Sequence, residues 1–189
     1  NQLCSTCGIS ICSGHLGYIS LAQPLYHPFY IKNIAHVLTC LCPSCACLLT
    51  TKDEISREDI EKLSGAARLK KLSEFCAKSQ VSCSNKKCKP VPRIYSASDK
   101  DDTISYTEKF NKKHKRKKYI VPADALKVLQ CMESQYPENI ELLGFRNGSK
   151  PSDLILEVFP IIPPITRPPA CVQGTSRLDN LTKVYMTLV

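Results

Sequence analysis

Eight side chains in this sequence have the types and spacing of metal ligands. The first four read Cys4-x2-Cys7-x4-Cys12-x2-His15. A C-x2-C pair lets two thiolates converge from one turn on a zinc ion at about 2.3 Å, and four S and N ligands complete its tetrahedron. The glycines of Ser13-Gly14 and Leu16-Gly17 supply the flexible backbone that wraps such an ion. Four protein ligands leave no position for water, so the chemistry expected here is structural and not catalytic. A second set begins with Cys42-x2-Cys45 and closes with Cys83-x4-Cys88, about forty residues on. Cys40, Cys47 and Cys76 stand close enough to compete, and 42 and 45 are preferred because theirs is the standard knuckle spacing. Two structural Zn2+ ions are therefore expected. Cys131 and Cys171 belong to no pair and read as small, buried or half-buried residues. His27 and His36 read as polar edge residues.

Twelve cysteines pose a choice between a disulfide framework and metal ligands. The close pairing, with no basic-then-apolar leader, favours metal. The most apolar stretch, Ile19 to Leu49, is interrupted by Pro24, His27, Pro28, Lys32 and His36, so no membrane span or membrane partner is expected. The chain starts at Asn1 instead of Met, which suggests a piece of a longer protein.

Charge is concentrated. Between Lys109 and Lys118 lie seven Lys or Arg and no acid; without those seven the net charge falls from +9 to +2. Lys112, Lys113, Lys115, Arg116, Lys117 and Lys118 are candidate phosphate contacts that would bind nucleic acid without reading its sequence. A solvated basic loop is the plain alternative. Phe110 and Tyr119 are the only aromatics flanking the run, which limits base stacking.

The elements that position these groups follow from periodicity. Pro28 to Leu38 predicts a helix with Phe29, Tyr30, Ile34, Val37 and Leu38 on one face. Ser56 with Asp59 resembles an N-cap for a helix to about Cys76, with Ile60, Leu63, Ala67, Leu72 and Phe75 inward. Residues 77–121 are polar and turn-rich, with a strand at Val91–Tyr95. Pro122 opens a helix carrying Leu126, Leu129 and Met132. Leu154 to Phe159 reads as a buried strand. The prolines of residues 160–169 then forbid helix and central strand, giving a rigid arm in which Ile161, Ile162 and Ile165 seek burial. A final helix runs from Leu178 to Leu188, with Ser176 as its cap. The fold class expected is α+β: a small zinc-stapled domain with helices, short strands and irregular zinc-binding loops. Three stretches are expected: 1–50 with the first ligands, 51–150 with the second site and the basic loop, and 151–189 with strand, arm and last helix.

Read together, these segments resemble a known family. CSTCGISICSGHLGYISLAQPLYHP resembles the N-terminal zinc segment of the largest subunit of multi-subunit DNA-dependent RNA polymerases, and VLTCLCPSCACLL its following C-x-C-x2-C segment. CSNKKCKPVPRI is similar to the later pair that completes a second zinc site. LILEVFPIIPPITRPP and RLDNLTKVYMTLV resemble the strand, the proline stretch ending in Arg-Pro, and the helix beyond. LSGAARLKKL and the short C-x4-C pair resemble poxvirus-like and other large-DNA-virus subunits more than nuclear ones. Two departures are visible: a four-residue first loop where relatives often have six, and a compressed closing pair.

The resemblance implies a clamp that closes over template DNA and the RNA–DNA hybrid alongside other polymerase subunits. It implies that residues 170–177 correspond to the lid, with Arg167 and Arg177 as candidate contacts to the hybrid. The family's catalysis uses a D-x-D-x-D motif holding Mg2+ far downstream; Asp99, Asp101 and Asp102 have the wrong spacing, so no catalytic residue is expected here. The implied location is the nucleus, or a cytoplasmic viral factory or virion. A RING-like zinc adaptor is the rival reading, but the chain has no C-x-H centre between its pairs. A zinc hydrolase would need an open coordination position and a general base, and no H-E-x-x-H occurs.

Overall fold

The computed structural model describes residues 3–78, 83, 85, 88, 91, 93–98, 100–108, 117–146, 148–172 and 175–187. It is mixed helix and sheet, as expected. The chain divides into two compact units: Pro24–Leu156, and Asn1–Gln23 joined with Glu157–Val189. No described helix is long and apolar enough to cross a membrane.

The Pro24–Leu156 unit is built around α1 (Ile31–Cys40). Ile31, Ile34, Ala35 and Leu38 fall at helical spacing and are buried with Val37. Phe29 and Tyr30 depart from expectation: Phe29 is 89% exposed and Tyr30 45%. They lie in a 3-10 turn, whose three residues per turn put them out of phase with the helix that follows. His27 caps that turn, its Nδ1 accepting from the Phe29 N–H at 3.3 Å.

The next helix also differs. Thr51, not Ser56, is the cap of α2 (Lys52–Arg57), in a reciprocal capping box with Glu54. Ser56 lies inside α2 and donates to Glu61 Oε2 at 2.7 Å. Asp59 takes a left-handed φ of 54°, and the main helix α3 runs only from Gly65 to Lys78. Leu69, Leu72, Ser73 and Cys76 are its buried residues, while Ala67 is exposed. The half-buried His36 meets Ser73 Oγ at 2.7 Å through Nδ1, the edge role expected for it.

A three-stranded antiparallel sheet joins β2 (Arg93–Ser98), β3 (Thr103–Glu108) and β4 (Lys118–Ile120), with Tyr95 opposite Tyr106 and Ile104 opposite Ile120. The expected strand thus starts later and runs further. Thr39 ties sheet to helix: its Oγ1 donates to Ala35 O at 2.8 Å and accepts from Tyr95 N at 3.2 Å. Pro122 opens α4 (Pro122–Gln135), which buries Ala125, Leu126, Leu129 and Met132, and the short α5 spans Glu138–Leu142. Glu133 accepts from the backbone N–H and hydroxyl of Ser152 at 2.6 and 2.8 Å.

β1 (Gly17–Tyr26) and β5 (Ile155–Ile161) form a two-stranded sheet. Both are edge strands, which admits Pro160 and leaves Val158 49% exposed, so β5 is not the buried strand expected. Beyond it, Pro164–Thr166 makes a 3-10 turn, and Ile165 is 61% exposed instead of buried. β6 (Ala170–Val172) and β7 (Thr175–Arg177) form a hairpin. Ser176 lies in β7; α6 (Asn180–Met186) is capped by Asp179, which accepts from the Leu181 and Thr182 N–H groups. On α6 only Tyr185 is buried, edge-on to Phe159, while Leu181 and Val184, and Leu178 before the helix, are exposed. The expected end at Leu188 lies outside the described residues.

Candidate metal centres

Two four-residue clusters form among the described residues: Cys4, Cys7, Cys12 and His15, and Cys42, Cys45, Cys83 and Cys88. Within each, the ligand atoms all lie within 4.8 Å of one another. A tetrahedron with metal–sulfur bonds of about 2.3 Å has sulfur–sulfur edges of about 3.8 Å. Cys7 and Cys12 Sγ are 3.6 Å apart, Cys42 and Cys88 3.7 Å, and Cys45 and Cys83 3.4 Å. Cys12 Sγ and His15 Nε2 are 3.2 Å apart. None of these cysteines is in a disulfide. Both clusters could hold a metal ion, and their donor sets are consistent with zinc.

The first centre is built from two turns. Cys4 O accepts from Gly8 N at 2.8 Å, and Gly8 has the positive φ that such a turn requires. Backbone N–H groups of Cys7 and Thr6 point at the Cys4 sulfur and hold its thiol down at about 6. The Gly14 N–H donates to Cys12 Sγ at 3.2 Å and pulls that thiol down, but partial burial and the Cys7 and Cys4 sulfurs outweigh it and push Cys12 up. Gly14 has φ +92°, and an added Cβ would lie 2.6 Å from Pro163 Cβ. The proline arm therefore rests directly on the ligand loop.

The second centre is a knuckle against the core. Cys42 N donates to Cys47 O and Ala46 N to Cys42 O, while the Leu41–Leu48 bridge closes the hairpin beneath. Ala46 adopts φ 56°, which glycine would favour; with no glycine there, sequence reading had no signal for this turn. Cys42 is fully buried and the other three partly so. Burial raises Cys83 and brings Cys88 up to about 11, with neighbouring sulfurs adding to both. Against its own partial burial, Cys45 is lowered by the Cys47 N–H and the other three sulfurs. Four thiols that resist sharing several negative charges are relieved by one divalent cation.

The competitors stand apart. Cys40 and Cys76 are buried at 0% and 3% and face each other, burial pushing the Cys40 thiol well up. The Cys47 thiol turns to Leu48 O at 3.6 Å, and Cys131 is half-buried against the core.

For the nucleic-acid candidates, Lys112, Lys113, Lys115 and Arg116 lie outside the described residues. Lys117 is exposed, and Lys118 Nζ pairs with Glu108 Oε1 at 2.9 Å. Arg177 is exposed in β7. Arg167 is half-buried and internally engaged: Nε donates to Ile162 O at 3.1 Å, a terminal N–H to Thr182 Oγ1 at 2.7 Å, and the guanidinium lies 5.1 Å from the Tyr185 ring centre.

The chain is similar to known proteins along nearly its whole length. The chain is 29% identical over 201 residues to a probable DNA-directed RNA polymerase II subunit RPB1 homolog of Invertebrate iridescent virus 6, covering 98% of this chain and 19% of that protein. It is 28% identical over 210 residues to RNA polymerase III subunit rpc1 of Schizosaccharomyces pombe, covering 95% and 15%. It is 28% identical over 197 residues to RNA polymerase subunit Rpo1N of Sulfolobus acidocaldarius, covering 100% and 21%. The chain thus spans between 15% and 21% of the length of these relatives. Residues 1–189 match the family described as RNA polymerase Rpb1, domain 1. The chain belongs to that family and corresponds to the N-terminal region of an RNA polymerase largest subunit.

Proposed function

We propose that this region is a non-catalytic clamp element that holds template DNA and the RNA–DNA hybrid during transcription, braced by two structural zinc ions. The observation that carries the reading is the gathering of eight candidate ligands into two four-residue sets among the described residues, each enough to fill a tetrahedral zinc shell. Cys4, Cys7, Cys12 and His15 would hold one zinc, and Cys42, Cys45, Cys83 and Cys88 the other. When bound, zinc supplies cross-linking of remote chain segments and no reactive centre. Within this reading, residues 1–50 form the first zinc segment, 51–150 the clamp head, and 151–189 the strand, arm, lid-like hairpin and helix.

The proposed partners are DNA, the hybrid and the remaining polymerase subunits. The parent protein is proposed to be a nucleotidyltransferase whose Mg2+ chemistry lies elsewhere, acting in the nucleus or in a viral factory or virion. The basic run at 112–118 suits a grip indifferent to sequence. Arg177, exposed in β7, is proposed to contact the hybrid, whereas Arg167, engaged internally, is better suited to bracing the base of the hairpin. Neutralising Lys112, Lys113, Lys115, Arg116, Lys117 and Lys118 in the assembled polymerase lowers DNA affinity and flattens its salt dependence, read by binding titrations between low and moderate salt. An unchanged salt slope refutes the phosphate contact.

A further inference from the structure

A cavity opens between the start of α3 and the turn after α5. One lobe, about 240 Å3, reaches Asn33, Leu69 and Ser149; the other, about 280 Å3, reaches Ser64, Arg68 and Glu141. Gly65, Gly144, Phe145 and Arg146 line both. The two glycines keep the shared wall bare. Gly144 has φ +91°, and a Cβ there would lie 2.8 Å from Gly65 O.

The charges around this space are unmatched. Arg68 Nε is buried and has no hydrogen-bond partner. No ion pair joins Arg68 or Arg146 to any described acid, including Glu141, which is exposed at the rim. Two arginines and one glutamate thus line this space. The first turn of α3, which also lines the cavity through Gly65 and Ala66, carries no acidic residue and adds its own partial positive charge. Planar guanidinium forks with no carboxylate partner suit an anion that offers several acceptor oxygens.

We propose that this cavity binds a phosphate group, held between the Arg68 and Arg146 guanidiniums over the first turn of α3. A phosphate offers enough oxygens to accept from both planar forks and from backbone N–H groups at once. The half-buried Phe145 ring gives the attached sugar or base an apolar wall. The phosphate comes either from a free phosphate or mononucleotide or from a polynucleotide backbone. The inference goes beyond the metal and clamp readings and does not require them.

The test is calorimetric titration of the metal-replete full chain with inorganic phosphate at constant ionic strength, then with a nucleoside monophosphate and a short oligothymidylate. Saturable phosphate binding is expected. The exposed Arg146→Gln weakens it about tenfold, the loss expected for one charged hydrogen bond. Ala66→Glu abolishes binding by placing a carboxylate in the cavity, while its melting temperature holds or rises because an acid in the first turn suits the helix. Lys127→Gln, at a paired exposed lysine outside the lining, leaves binding unchanged. Tighter, Ala66→Glu-sensitive oligonucleotide binding identifies the backbone source, and preference for the small ligands identifies the free one. Absence of saturable binding, or equal binding by wild type, Arg146→Gln and Ala66→Glu, overturns the proposal.

Discussion

Replacing Cys83 with serine should detach the second centre from the far end of its loop. Cys45 and Cys83 lie 38 positions apart, and Cys42 and Cys88 lie 46 apart. A cross-link closing a loop of about forty residues removes about 4 kcal/mol of unfolded-chain freedom. The Pro24–Leu156 unit unfolds with an entropy of roughly 0.28 kcal/mol/K, at about 2.1 cal/mol/K per residue. Their ratio gives a fall in melting temperature of about 14 °C. Because Cys42 is fully buried, loss of the ion also leaves a thiol cluster facing the core, which adds to the fall. Native mass spectrometry of the metal-replete chain reads the stoichiometry, which should drop from two ions to one, while a thermal melt reads the stability. Cys131→Ser, at a half-buried thiol outside both clusters, serves as the control and should retain both ions. The reasoning fails if Cys83→Ser keeps two ions, or loses one without a change in melting temperature.

Two further outcomes follow from the geometry. Gly14→Ala introduces a Cβ 2.6 Å from Pro163 at a positive φ, so it should destabilise the first centre by about 1–3 kcal/mol; chelator competition should show faster loss of one ion only. Glu54→Gln should weaken the capping box by about 1 kcal/mol, read by thermal melts against pH. The Thr51 N–H holds the Glu54 carboxylate below its usual value, so the difference between Glu54→Gln and wild type should be full at neutral pH and shrink as pH falls through the folded-state value; a pH-independent difference refutes the carboxylate's role.

The ligand sets were legible because their information is local: C-x2-C and C-x2-H spacing places two donors on one turn whatever surrounds them. The helices from Ile31 and from Pro122 were legible for a similar reason, a continuous apolar stripe, with a proline opening the second. Boundaries failed where two local signals competed. Thr51 with Glu54 makes the capping box that Ser56 with Asp59 only resembles, and the left-handed Asp59 ends the short helix. Burial failed where no partner element was deducible, as with Phe29, Ile165, Leu178 and the α6 residues Leu181 and Val184.

Residue type and spacing alone determined one four-residue set with ligand spacing, the Cys42–Cys45 knuckle in search of partners, one concentrated basic run and a proline-rich arm. Only the tertiary structure decided that Cys42, Cys45, Cys83 and Cys88 converge while Cys40 turns to Cys76 in the core, because Cys40 still belongs to α1 and the knuckle begins after it. It also decided that the segment through Gln23 joins the segment from Glu157 in one compact unit, with Pro163 against Gly14 and Arg167 bound to Thr182. A motif of four residues encodes its own turn, but which remote segment covers it depends on how every intervening element packs.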